Sequence, residues 1–194
     1  MDNQGPNPLS GVTRRDLLKL TLGAGALGLA APLLPGCGPA PDAPARPANF
    51  SHLSDLEYAV FHKAAPVVLP PPGDGLPDYR QVPVFDNLDR FFGSFPDPVR
   101  KQVADGLRLF EYGAIVIGWH FRSFTRLSDD DARGYILRWR TGNAVQKAVY
   151  QVLTRALISC YWQAPVTWKS VGYAGPLYLR ETIPSLGNAP LPTE

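Results

Sequence analysis

The chain has 194 residues, 45% of them hydrophobic, a length and composition that fit one ordinary globular domain behind a short leader. Its 19 Lys+Arg stand against 17 Asp+Glu, and without residues 1–37 these become 16 and 15, so no positive field remains to follow a nucleic-acid backbone. Two cysteines, Cys37 and Cys160, exclude a disulfide-framed fold.

Within TRRDLLKLTLGAGALGLA, residues 13–30, the glycines Gly23, Gly25 and Gly28 spell G-x-G-x-x-G. A dinucleotide site needs a buried strand before those glycines, a helix after them and an acidic residue about 20 positions on. Two arginines and a lysine precede them instead, and a proline-rich run follows. A polar start, a basic cluster, about 15 mostly apolar residues and then small residues is the layout of an export signal. Thr13-Arg14-Arg15-Asp16-Leu17-Leu18-Lys19 resembles the twin-arginine motif, so Arg14, Arg15, Leu17, Leu18 and Lys19 are the targeting residues and the twin-arginine translocase is an expected partner. The apolar run is too short for a bilayer crossing of roughly 20 residues, and Pro32 interrupts it. That route exports folded proteins, often with a cofactor or a signal-less partner attached.

Leu33-Leu34-Pro35-Gly36-Cys37 resembles a lipobox, which makes Cys37 the lipidation candidate; cleavage near Ala43-Pro44-Ala45 is the rival reading. Residues 1–37 are therefore read as the signal, and residues 38–49, rich in Pro and Ala, as a semi-rigid tether. The expected location is the periplasm, with membrane attachment through the lipid if Cys37 carries one.

From residue 50 to 194 the pattern is helical. Ser54-Asp55-Leu56-Glu57 spells a capping box at the head of a helix running to Pro66, with Leu53, Leu56, Val60, Ala64 and Val67 as its stripe. The prolines and glycines of residues 67–79 make a loop, and Val84 to Phe92 a short helix. Asp97 can cap a long third helix with Pro98 in its first turn and a stripe of Val99, Val103, Leu107, Phe110, Ala114, Ile117 and Phe121. Its apolar second half, residues 114–119, belongs in the core or under another chain, and the core is favoured. Ser128-Asp129-Asp130-Asp131 lacks the later oxygen ligands of a calcium loop and reads as a capped, acidic first turn, with Ala132, Tyr135, Ile136 and Trp139 turned inward. Thr141-Gly142-Asn143 ends that helix and starts the next, striped by Val145, Val149, Val152, Leu153, Ala156, Leu157 and Cys160. The fold class expected is all-α, a compact bundle of about five helices.

Cys160 is read either as an inert buried thiol or as a link to a partner. Tyr161, Trp162, Trp168, Tyr173 and Tyr178 follow at a density that does not suit a solvated tail, so some pack under the helices, Trp168 on a short helical turn among them, and others offer a docking surface.

Phe95-Pro96 with Arg100, Gly106-Leu107, Phe110-Glu111, Leu127-Ser128, Trp139 and the run Tyr161-Trp162-x-x-Pro165-x-x-Trp168-x-x-x-Gly172-Tyr173-x-Gly175-Pro176 together resemble the gluconate 2-dehydrogenase subunit 3 family, over roughly residues 50–180. The resemblance implies a small non-catalytic subunit. Such chains accompany a large FAD-dependent dehydrogenase of the glucose–methanol–choline type, often with a cytochrome c chain, and carry the signal-less large chain across the membrane. No catalytic, cofactor or metal residue is then expected in this chain, the FAD residing in the partner.

The residues themselves point the same way. His52, His62 and His120 lie far apart without metal-ligand spacing, no C-x-x-C-H or G-x-S-x-G is present, and Glu111 and His120 are too far apart along one helix for a catalytic pair. Two other classes stay open: an autonomous periplasmic lipoprotein holding a small apolar ligand, and an enzyme whose site is assembled from distant residues.

Overall fold

A computed structural model of the chain describes residues 43–73, 75–117 and 121–176. The targeting residues, Cys37, His120 and Tyr178 lie outside the described residues. Six α-helices follow one another: α1 Asp55–Val68, α2 Val84–Gly93, α3 Asp97–Ile117, α4 Asp129–Thr141, α5 Ala144–Trp162 and α6 Pro165–Trp168. Short 3-10 turns stand at Tyr79–Gln81, Phe124–Arg126 and Lys169–Val171. Among the described residues there is no strand, only one isolated bridge between Gly73 and Leu76, so the all-α expectation holds.

The helix starts follow local chemistry. Ser54 Oγ accepts the Glu57 amide while Glu57 accepts the Ser54 amide at 2.7 Å, the two halves of the expected capping box. Asn143 and Gln146 build a second such box at the head of α5, and Ser128 caps α4. α1 runs two residues beyond the expected stop at Pro66, because the Leu69 amide still reaches the Ala65 carbonyl at 2.9 Å and closes the last turn. α3 starts at Asp97 itself, the Pro96 carbonyl accepting from Val99 and Arg100, so Asp97 sits inside the first turn and pairs with Arg100.

α5 is the hub, packing against α1, α2, α3 and α4. At its contact with α3 the Val149 side chain packs over Gly106, where a Cβ would stand 3.1 Å from a Val149 methyl. The core between the helices is aromatic. Phe110 lies 4.6 Å from Phe124, 5.0 Å from Tyr135 and 4.8 Å from Trp139, all fully buried, and the Tyr135 hydroxyl donates to the Phe110 carbonyl at 2.9 Å. On α4 the inward set Ala132, Tyr135, Ile136 and Trp139 is as the spacing requires, and on α5 Val149, Leu153, Ala156, Leu157 and Cys160 are buried.

The α3 stripe is shorter than its spelling. Leu107, Phe110 and Ala114 are buried, but Val99 is exposed at one end and Phe121 is 76% exposed at the other. Val116, 72% exposed, departs from the expectation that residues 114–119 belong in the core. Phe121 lies beyond the described helix with φ at +52°, a left-handed conformation uncommon for a bulky residue, so it has left the helical register that would have carried it inward.

The chain is fastened where it enters the bundle. Asp89 of α2 accepts the amides of Ser51 at 3.2 Å and of His52 and Leu53 at 2.9 Å each. Burial alone would raise its pKa, but the three amides outweigh it and hold the carboxyl below its ordinary value. Gly93, one turn on, lies beneath the exposed His52 imidazole, which a Cβ there, at 2.6 Å, would displace. Arg46, near the end of the Pro/Ala tether, donates to Asp55 at 2.8 Å and to the Phe50 carbonyl.

Candidate functional site

The last turn of α5 delivers Cys160, Tyr161 and Trp162 to three different environments. Cys160 is buried, and burial pushes its thiol up to about 11 despite the nearby Arg90 cation, which leaves it without the thiolate that disulfide exchange requires. Tyr161 is buried as well, its hydroxyl donating to the Pro77 carbonyl at 2.8 Å and so pinning the proline-rich loop after α1. Neither presents surface to a partner in this fold. Trp162 is half-buried, edge-on to Tyr161 at 5.3 Å.

Beyond it the chain folds into a hook. Pro165 opens α6 at a position where its missing amide costs nothing, and the buried Thr167 hydroxyl donates to the Ala164 carbonyl at 2.8 Å. Trp168 Nε1 donates back to the Trp162 carbonyl at 2.7 Å, and the Trp168 carbonyl accepts the Tyr173 amide at 3.0 Å. The turn between them needs Gly172, whose φ is +68°. Tyr173 returns edge-on to Trp168 at 5.3 Å, and Gly175, at φ +97°, passes so close that a Cβ would lie 3.2 Å from the indole. The spacing of the two tryptophans, the tyrosine and the glycines is therefore the spacing of one hydrogen-bonded hook. It keeps Trp168 half-buried, Tyr173 half-exposed and Val166 and Val171 in solvent.

Beside the hook, α2 and the α5–α6 junction enclose a groove of about 780 Å³ with Pro83, Phe91, Ala164, Pro165 and Val166 along its walls. Asn87 is buried at its base: its amide donates to the Cys160 carbonyl at 2.9 Å and its oxygen accepts from Arg90. The guanidinium of Arg90 is thereby held at the groove by a side chain that is itself tied to α5.

Two further polar groups sit inside the bundle. Glu111 is buried on α3 and accepts the Thr125 hydroxyl at 2.6 Å and the Thr125 amide at 3.1 Å, clamping the 3-10 turn against the helix. Burial raises its pKa, and the hydrogen bonds from this turn only partly offset that. Glu111 thus lies within the core and not at a solvent-facing catalytic position. The acidic turn of α4 is accounted for internally, Asp129 pairing with Lys63 of α1 at 2.7 Å. Among the described residues no three His, Cys, Asp or Glu side chains are grouped to hold a metal, and no helix is long and apolar enough to cross a membrane.

Comparisons with protein-family models, with curated proteins and with solved structures each return no match for this chain.

The residues that sequence reading passed over are Asn87, Arg90 and Phe91 on α2. One signal for them was available: Phe91 and Phe92 are neighbours on a helix, and adjacent helical positions face about 100° apart, so both cannot be central in the core. Phe92 is buried and Phe91 is the one left outside.

Proposed function

We propose that this chain is a non-catalytic small subunit that carries a folded flavoprotein dehydrogenase of the glucose–methanol–choline type through the twin-arginine route and stays with it in the periplasm. The observation that carries the reading is the spelling Thr13-Arg14-Arg15-Asp16-Leu17-Leu18-Lys19 ahead of a small helical domain. The hook adds support, because its tryptophans and glycines are spent on holding a local shape that leaves apolar side chains outside, the composition of a surface that another protein covers. In this reading FAD belongs to the large chain, a cytochrome c chain is a further partner, and Cys37, if lipidated, holds the assembly at the membrane.

The test is to purify the tagged full-length chain from its own host's exported fraction and record the visible spectrum. A yellow, flavin-bearing large chain in fixed proportion, lost when Arg14→Lys and Arg15→Lys are combined, supports the reading. A colourless chain alone sinks it and favours the lipoprotein with a small apolar ligand.

A further inference from the structure

We infer that the groove between α2 and the α5–α6 junction is where the partner polypeptide docks, through a segment that sets an apolar side chain beside a carboxylate. The inference rests on the escort reading for the partner's identity, but the occupant's chemistry comes from the groove.

Three observations define that chemistry. The lining is mostly apolar, with Ser94 and Gln163 among it, and Phe91 from α2 and Val166 from α6, the latter 54% exposed, both keep surface in solvent. Exposed apolar side chains lining an open groove of about 780 Å³ offer room for a few side chains of a second protein. A small molecule, by contrast, is usually enclosed over most of its surface. The only charged residue lining the groove is Arg90, whose side chain meets a single hydrogen-bonding partner among the described residues, Asn87, and no carboxylate. A guanidinium carries five donors, so most of them are left for an incoming group, and the fork matches a carboxylate in a way an ammonium does not. Finally, Arg90 is positioned in advance. Asn87 is buried and bonded to the Cys160 carbonyl, so the cation is braced against α5 before any partner arrives, which lowers the ordering cost of binding.

The alternatives weigh less. The end of α3 exposes Val116, Phe121 and Arg122 without a feature that selects one occupant, and Cys160 is inaccessible.

The experiment uses the full-length chain in its own host with Phe91 or Val166 replaced by photoreactive benzoylphenylalanine, and Arg133, exposed on α4, replaced likewise as the control. After irradiation the cross-linked peptides are sequenced by mass spectrometry. The expected result is an adduct from positions 91 and 166, and not 133, on a flavoprotein segment containing Asp or Glu next to an apolar residue. Arg90→Glu should then lower the flavin recovered per chain roughly tenfold or more, Arg90→Lys should lower it less, and a basic residue at the cross-linked carboxylate should restore binding to Arg90→Glu. Val166→Asp, which touches no hydrogen bond, should act in the same direction with the domain's melting temperature unchanged. A flavoprotein complex that forms but cross-links only from elsewhere overturns the groove and leaves the escort reading standing. Adducts to residues 177–194 of the same chain, or to a second copy, also overturn it. No flavoprotein at all overturns both.

Discussion

Phe110, Phe124, Tyr135 and Trp139 are buried on every side, whereas Trp162, Trp168 and Tyr173, equally aromatic, keep part of their surface in solvent. In the first group the rings hold one another edge to face, and one hydroxyl, that of Tyr135, reaches a carbonyl. In the second the rings are held by main-chain geometry: an indole bonded to a carbonyl, an amide returned to the next carbonyl, and two glycines at positive φ. The difference separates two uses of the same residue types. A ring held by burial stabilises the fold and is unavailable for anything else. A ring held by hydrogen bonds at its edge can be rigid and still leave its neighbourhood open.

That contrast can be broken at its strongest point by Phe110→Ala, which should cost about 3–5 kcal/mol, a large share of the 5–15 kcal/mol typical of a domain. Urea denaturation should show the midpoint falling sharply or the folded baseline vanishing. Next comes Asp89→Ala, which strips the acceptor from three amides, one of them on the buried Leu53, and should cost about 2–3 kcal/mol. Because the folded-state pKa of Asp89 is depressed, its contribution is present above the ordinary aspartate value and is lost as pH falls through the lower folded value. The gap between wild type and variant should therefore close in acid.

Trp168→Phe sharpens the comparison from the other side. It removes the Nε1 bond to Trp162 while keeping most of the apolar surface, so about 1 kcal/mol of stability should be lost. The larger change should be in the hook, read as faster amide exchange at Tyr173. A core ring altered as mildly would loosen nothing at the surface.

The smallest effect is expected for Glu111→Gln. The amide keeps the length of the carboxyl, and the Thr125 hydroxyl can turn to accept instead of donate, so near-equal stability is expected at acid pH. The folded-state pKa of Glu111 is raised, so its favourable contribution is present below the ordinary glutamate value of 4.5 and is lost as pH rises through the folded value. Thermal melts should show Gln gaining on Glu as pH climbs through that window; a constant gap would rule out the buried titration.

What the sequence made legible was whatever depends on neighbours three and four residues apart. The capping box of Ser54 and Glu57, the capped acidic turn after Ser128 and the inward stripe of α4 all follow from local spacing. Asp89 was illegible because its partners lie 36 to 38 residues away, and nothing in LDRFF announces three amides arriving from before α1. Phe121 failed for a different reason: the stripe extrapolated a helix that is described only to Ile117. For the candidate site the aromatic run was visible, but its division was not. Cys160 and Tyr161 went to the core, the tryptophans to a hook, and the groove was completed by a helix some 70 residues earlier in the chain.

α5 touches every other long helix and is also the last of them among the described residues. During synthesis α1 through α4 emerge before the one helix that packs against all of them. Termination just before residue 144 would remove the helix that all four share, leaving α1, α3 and α4 in contact through the aromatic core but α2 without the helix it chiefly packs against. The order of elements thus makes completion of the chain as far as α5 a condition for closing the core.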